Sequence, residues 1–112
     1  MTEREIQRSI CRVLDLHGIV YSVTDASRSF TPSGEIRSKV RKGWPDLTGC
    51  FCGRFIAIEC KSAKGRLRPE QKVMLARLER AGALTLVARS GNEVHEWLSG
   101  LTSKNWKQGK SR

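Results

Sequence analysis

Long apolar runs are missing from this chain. Stretches such as Ala83–Ala88 and Phe55–Ile58 are far too short to cross a bilayer. An apolar leader is missing too: Met1-Thr2-Glu3-Arg4-Glu5 alternates charge and has nothing resembling a secretory h-region. The expected compartment is therefore intracellular, the cytoplasm, and a bacterial or phage setting suits it. Acid is scarce, with 11 Asp and Glu against 21 Lys and Arg, a formal net charge of +10. A domain that repels itself this strongly is usually compensated by a polyanion, either nucleic acid or an anionic membrane surface. The four cysteines, Cys11, Cys50, Cys52 and Cys60, contain no CxxC pair, so the usual zinc-knuckle spacing is absent. They are expected to be reduced, buried thiols.

What is present is enough for one domain. The chain has 112 residues, 38% of them hydrophobic, which supports a single small core. Thr2-Glu3-Arg4-Glu5 forms a capping box, and Ile6, Ile10, Val13, Leu14 and His17 recur at helical spacing up to Gly18. Arg4, Arg8 and Arg12 line a second, solvated face of that helix. Ile19–Thr24 reads as a strand. The stretch from Asp25 to Trp44 has little periodicity, holds Pro32, Gly34 and Gly43, and is rich in Arg and Lys, so it reads as a basic, flexible arm beside a site.

Leu47–Phe51 and Phe55–Lys61 flank Cys52-Gly53 as the two strands of a hairpin. Pro69 opens a second helix that Gly82 closes, with Gln71, Met74, Leu75, Leu78 and Ala81 on one face. Leu84–Ala88 is a further strand and Asn92–Leu98 a closing helix. Residues 1–101 thus form one α/β domain in the order α-β-β-β-α-β-α, a mixed sheet flanked by helices. Residues 102–112 form a basic, disordered C-terminal tail. The segment from Phe55 to Ala88 is a βαβ unit, which requires a parallel strand pair.

The polar residues that stand out are Pro45-Asp46 and Glu59-Cys60-Lys61. Alternation along the strand puts Phe55, Ala57, Glu59 and Lys61 on one face and Ile56, Ile58 and Cys60 on the other. A Cys52-Gly53 turn places Asp46 opposite Glu59. A Gly53-Arg54 turn places it opposite Lys61, still on the same face. A three-residue loop puts it on the wrong face. The hydrophobic pattern supports the two-residue turns. Facing carboxylates repel unless a cation separates them, and a hard divalent ion, Mg²⁺ or Mn²⁺, suits two carboxylates. Lys61 then lies where it can act on a water or a phosphate. These are the parts needed for phosphodiester hydrolysis.

Pro45-Asp46 followed by Glu59-Cys60-Lys61 resembles the PD-(D/E)xK nuclease superfamily. The runs Gly43-Trp44-Pro45-Asp46-Leu47 and Lys61-Ser62-Ala63-Lys64-Gly65-Arg66-Leu67-Arg68-Pro69-Glu70-Gln71, with Gly82 beyond, resemble a stand-alone VRR-NUC domain. The resemblance implies a restriction-endonuclease-like core and a divalent-metal-dependent DNA endonuclease. It implies that Asp46 and Glu59 bind metal, with the Cys60 backbone carbonyl as a further ligand, and that Lys61 is the catalytic lysine. It also implies that Gln71 and an acid of the first helix, Glu5, belong to the site. Stand-alone members are similar to Holliday-junction resolvases, which implies a homodimer acting on branched DNA.

Plainer roles compete for several of these residues. Glu5 completes a capping box, Gln71 suits a helix N3 cap, and Asp46 suits a turn after proline. Arg4, Arg8, Arg12, Arg37, Lys39, Arg41 and Lys42 read together as a surface for the DNA backbone, with Trp44 either stacking on an unpaired base or packing on the hairpin. The alternative to an enzyme is a non-catalytic DNA-binding module of the same fold.

Overall fold

A computed structural model describes residues 1–24, 28–30, 32–34, 36–38 and 40–103, without the side chains of 28–30, 36–38 and 103. Helix α1 spans Glu3–Leu16. The Thr2 hydroxyl accepts the Glu5 N–H at 3.1 Å and the Glu5 carboxylate accepts the Thr2 N–H at 2.8 Å, which completes the capping box. Ile6, Ile10 and Leu14 form its buried stripe. Strand β1 covers Val20–Val23.

The arm that follows is more structured than its sequence suggests. It contains two short strands, β2 (Arg28–Phe30) and β3 (Ile36–Ser38), paired antiparallel in a sheet of their own. Three-residue strands carry too few side chains to show an alternating pattern, so periodicity misses them. One end of the arm is fixed next to Asp46. The Thr24 N–H donates to the Asp46 carbonyl at 2.8 Å and the Thr24 hydroxyl donates to the Pro45 carbonyl. At the other end, the Trp44 N–H bonds the Arg41 carbonyl.

The main sheet has the order β1-β4-β5-β6, with β4 at Leu47–Phe51, β5 at Arg54–Cys60 and β6 at Leu84–Ala88. β1, β4 and β5 pair antiparallel, and β5 pairs parallel with β6 through helix α2 (Pro69–Arg80). Helix α3, Gly91–Ser103, is longer than the Asn92–Leu98 expected. The two faces of the sheet are covered differently. Ile56, Ile58 and Cys60 join Leu47, Phe51, Ala88 and the buried faces of α1 and α3 in one core. The opposite face, with Ala57 and Glu59, lies under α2, as the 2.7 Å bond from the Thr85 hydroxyl to Glu79 shows. The predicted mixed α/β architecture is therefore present, with the small β2–β3 sheet added. No helix among the described residues is long and apolar enough to cross a membrane. The tail reading falls mainly on residues 104–112, outside the described residues.

Candidate active site

The hairpin turn decides the register of the site. Cys52 and Gly53 have φ of 50° and 84°. Two consecutive positive φ values belong to the two-residue turn whose twist matches antiparallel strands. Phe51 therefore pairs with Arg54 and Leu47 with Ile58. One step further, Asp46 faces Glu59, as the Cys52-Gly53 alternative requires.

The two acids hold each other through backbone groups. The Asp46 N–H donates to Glu59 Oε1 at 3.1 Å, and the Cys60 N–H donates to Asp46 Oδ2 at 2.8 Å. Glu59 is fully buried, and its Oε2 has no hydrogen-bond partner. Burial first, and the Asp46 carboxyl second, push Glu59 up to about 8, against a smaller opposing pull from Lys61. Lys61 is also buried, with its stem beside the turn at Ser62–Gly65. Among the described residues no ion pair joins Lys61 to either acid, although its charge acts on Glu59.

A buried carboxylate oxygen without a donor is costly to keep unless a positive group completes it. With Asp46 opposite and only oxygen donors converging, the pair fits a hard cation such as Mg²⁺ or Mn²⁺ better than a soft one. Among the described residues, no cluster of three His, Cys, Asp or Glu forms a metal site. Two side-chain carboxylates are what this site offers.

The other predicted residues are distributed as follows. Gln71 is buried at the third position of α2, and its Oε1 accepts the Arg68 N–H at 2.9 Å, the N3 cap considered above. Glu5 is exposed and engaged with Thr2, which lowers its pKa. Arg4, Arg8, Arg12, Arg41 and Lys42 are exposed and Trp44 is half-buried. Lys39 and the Arg37 side chain lie outside the described residues. The thiols differ from expectation. Only Cys60 is buried, with its pKa raised chiefly by that burial, while Cys50 and Cys52 are exposed beside the turn. His17 and His95 are hydrogen-bonded to each other at 2.9 Å across α1 and α3.

Two supports were not singled out in the sequence. The Arg89 guanidinium donates to the carbonyl oxygens of Ser62 and Gly65, pinning the turn that carries Lys61. Parallel strands end at the same edge, so the residue after β6 must lie beside the residues after β5, and the predicted βαβ unit already contained that signal. Gly43 is the second support. Its φ is 84°, and a Cβ there would stand 2.3 Å from the Glu70 carbonyl oxygen, so the segment leading to Asp46 runs directly against the first turn of α2.

No curated protein and no solved structure matches this chain. A family model described as the VRR-NUC domain matches residues 4–92. That match spans most of the chain, so the protein belongs to the VRR-NUC domain family, with its restriction-endonuclease-like fold and its nuclease-type, DNA-cleaving function.

Proposed function

We propose that this protein is a divalent-metal-dependent endonuclease that hydrolyses phosphodiester bonds in branched DNA, four-way junctions among them, as a homodimer. The observation that supports this most directly is Glu59 Oε2, buried without a partner, opposite Asp46 and next to a buried lysine. Asp46, Glu59 and the Cys60 carbonyl would hold Mg²⁺ or Mn²⁺. Such an ion supplies Lewis-acid charge at the scissile phosphate and makes water more acidic. The remaining chemistry comes from the chain itself. Lys61 orients the attacking water through its ammonium and balances the charge that develops on the phosphate. The N–H bonds of Asp46 and Cys60 fix the two carboxylates, so little reorganisation is needed when substrate arrives. Gln71 acts from α2, where its own cap holds it. For Glu5 to contribute, its carboxylate would first have to leave the Thr2 cap. The junction preference follows from two-fold geometry. A dimer presents two sites and joins two basic surfaces, which suits a substrate that has a two-fold axis.

The test uses the full chain with end-labelled junction and linear duplex of matched sequence, in Mn²⁺, in Mg²⁺ and in EDTA. Cutting that requires the metal and falls by at least about 100-fold in Lys61→Ala and Asp46→Ala is expected. Binding without metal-dependent cutting would make the protein a non-catalytic DNA-binding module instead. Equal cutting of junction and duplex would remove the branched substrate from the proposal.

A further inference from the structure

The α2-covered face of the sheet carries a second feature besides the carboxylate pair. At the hairpin end of β5 lies a groove of about 510 Å³, lined by Trp44, Arg54, Phe55, Leu78, Ala81 and Ala83 together with Gly53 and Gly82. Phe55 is 40% exposed, a large ring left open beside the exposed Cys50 with which it pairs. The Trp44 and Phe55 rings have their centroids 6.3 Å apart and are tilted by 58°. At that spacing and tilt nothing flat enters between them, but each braces the other. Apolar Leu78, Ala81 and Ala83 complete the lining. The Arg54 guanidinium donates from Nε and Nη2 to the Gly82 carbonyl at 3.2 and 2.8 Å, which fixes a planar cation at the groove.

We infer that this groove receives an unstacked nucleobase of the DNA strand, held against the Trp44 and Phe55 rings with Arg54 beside it. Three observations favour a base over a protein partner. The lining is aromatic and cationic together, the pairing that single-stranded nucleic acid uses, because every base offers a π-face and every nucleotide a negative charge. The chain carries a net charge of +10, which attracts a polyanion. The groove is also in line with the reaction centre. Phe55 and Glu59 share a strand face, four residues apart, about 13 Å by strand rise, which a strand covers in a few nucleotides. Trp44 is two residues before Asp46 on the same segment, so a base seated there sets which phosphate meets the carboxylates. The groove thus selects unpaired or splayed strands near a branch point. This inference rests on the reading of the protein as a DNA nuclease.

Binding is measured in EDTA, where nothing is cut, by anisotropy with single-stranded oligothymidylate and with an abasic strand of equal length. The phosphates are the same and only the bases differ. The wild-type chain is expected to bind the base-bearing strand roughly 10-fold tighter. Phe55→Ser removes a ring that is already partly exposed, and Ala81→Leu fills the groove from an exposed position. Both are expected to bring the ratio towards one while affinity for the abasic strand and the thermal midpoint hold. A wild-type ratio near one, or a ratio unchanged in both variants, overturns the inference. So does equal affinity for the two strands together with self-association that Ala81→Leu abolishes, which would assign the groove to a second copy. Parallel cutting assays in Mn²⁺ separate the two claims. A base preference without cutting sinks the nuclease reading alone, and cutting without a base preference sinks the groove alone.

Discussion

Glu59 combines full burial, an unpartnered oxygen and a carboxylate neighbour, and each of these opposes its charge. Its ordinary value is 4.5 and the folded protein holds it at about 8. Between those values the folded chain keeps a proton that the unfolded chain has released. Stability therefore falls as pH rises through that window. For the metal-free protein the thermal midpoint is expected to drop by more than about 5 °C between about pH 5 and about pH 9. Glu59→Gln removes the titration and keeps an acceptor for the Asp46 N–H, so its midpoint at about pH 9 should exceed that of the wild type, with a flatter pH profile. Mn²⁺ should raise the wild-type midpoint more at the alkaline end, where the carboxylate is ionised, and should leave Glu59→Gln nearly unmoved. A wild-type midpoint that rises with pH over this range would mean that Glu59 is ionised throughout. The same substitution should abolish cutting, the usual trade between an uncomfortable site and a stable fold.

The elements that carry the site were legible to different degrees, and geometry explains the differences. Alternation in Leu47–Phe51 and Phe55–Lys61, with glycine at the turn, was enough to bring Asp46 and Glu59 to one face. It did not choose between the two turn registers, since that depends on Cys52 accepting a positive φ. The βαβ unit was legible because Pro69 and Gly82 bracket an apolar stripe. The β2–β3 ladder was not, because its strands are three residues long. Exposure of Cys50 and Cys52 was missed as well, because they lie at the turn end of the hairpin, where alternation alone does not report what covers a side chain. The contact of Gly43 with Glu70 joins segments far apart in sequence, and no local pattern reports it. Gly43→Ala should therefore do more than strain one φ. Its methyl would push Trp44-Pro45-Asp46 off the first turn of α2. A loss of at least about 2 kcal/mol is expected in urea denaturation, together with loss of cutting. Unchanged stability would show that the segment is not seated on α2.

At the scale of the whole molecule, the question is which surface meets the DNA backbone. A net charge of +10 guarantees attraction but does not locate it. Arg4, Arg8 and Arg12 form one exposed row along α1, four residues apart. The helix carrying them packs on β5 from the core side, opposite α2, while Glu59 looks towards α2. Contact with both the row and the carboxylates thus requires a strand that bends around the edge of the sheet where β5 and β6 end, or a second protomer that supplies the row. Each arginine on a phosphate releases counterion and adds about 0.9 to the slope of log affinity against log salt. If all three make contact, replacing them with alanine should lower that slope by between 2 and 3 on junction DNA, as read from titrations in EDTA at several salt concentrations. The helix itself should persist, since alanine is the better helix former and the Thr2–Glu5 cap is untouched. An unchanged slope would remove α1 from the interface and leave the attraction to Arg41, Lys42 and the arm that leads to Asp46.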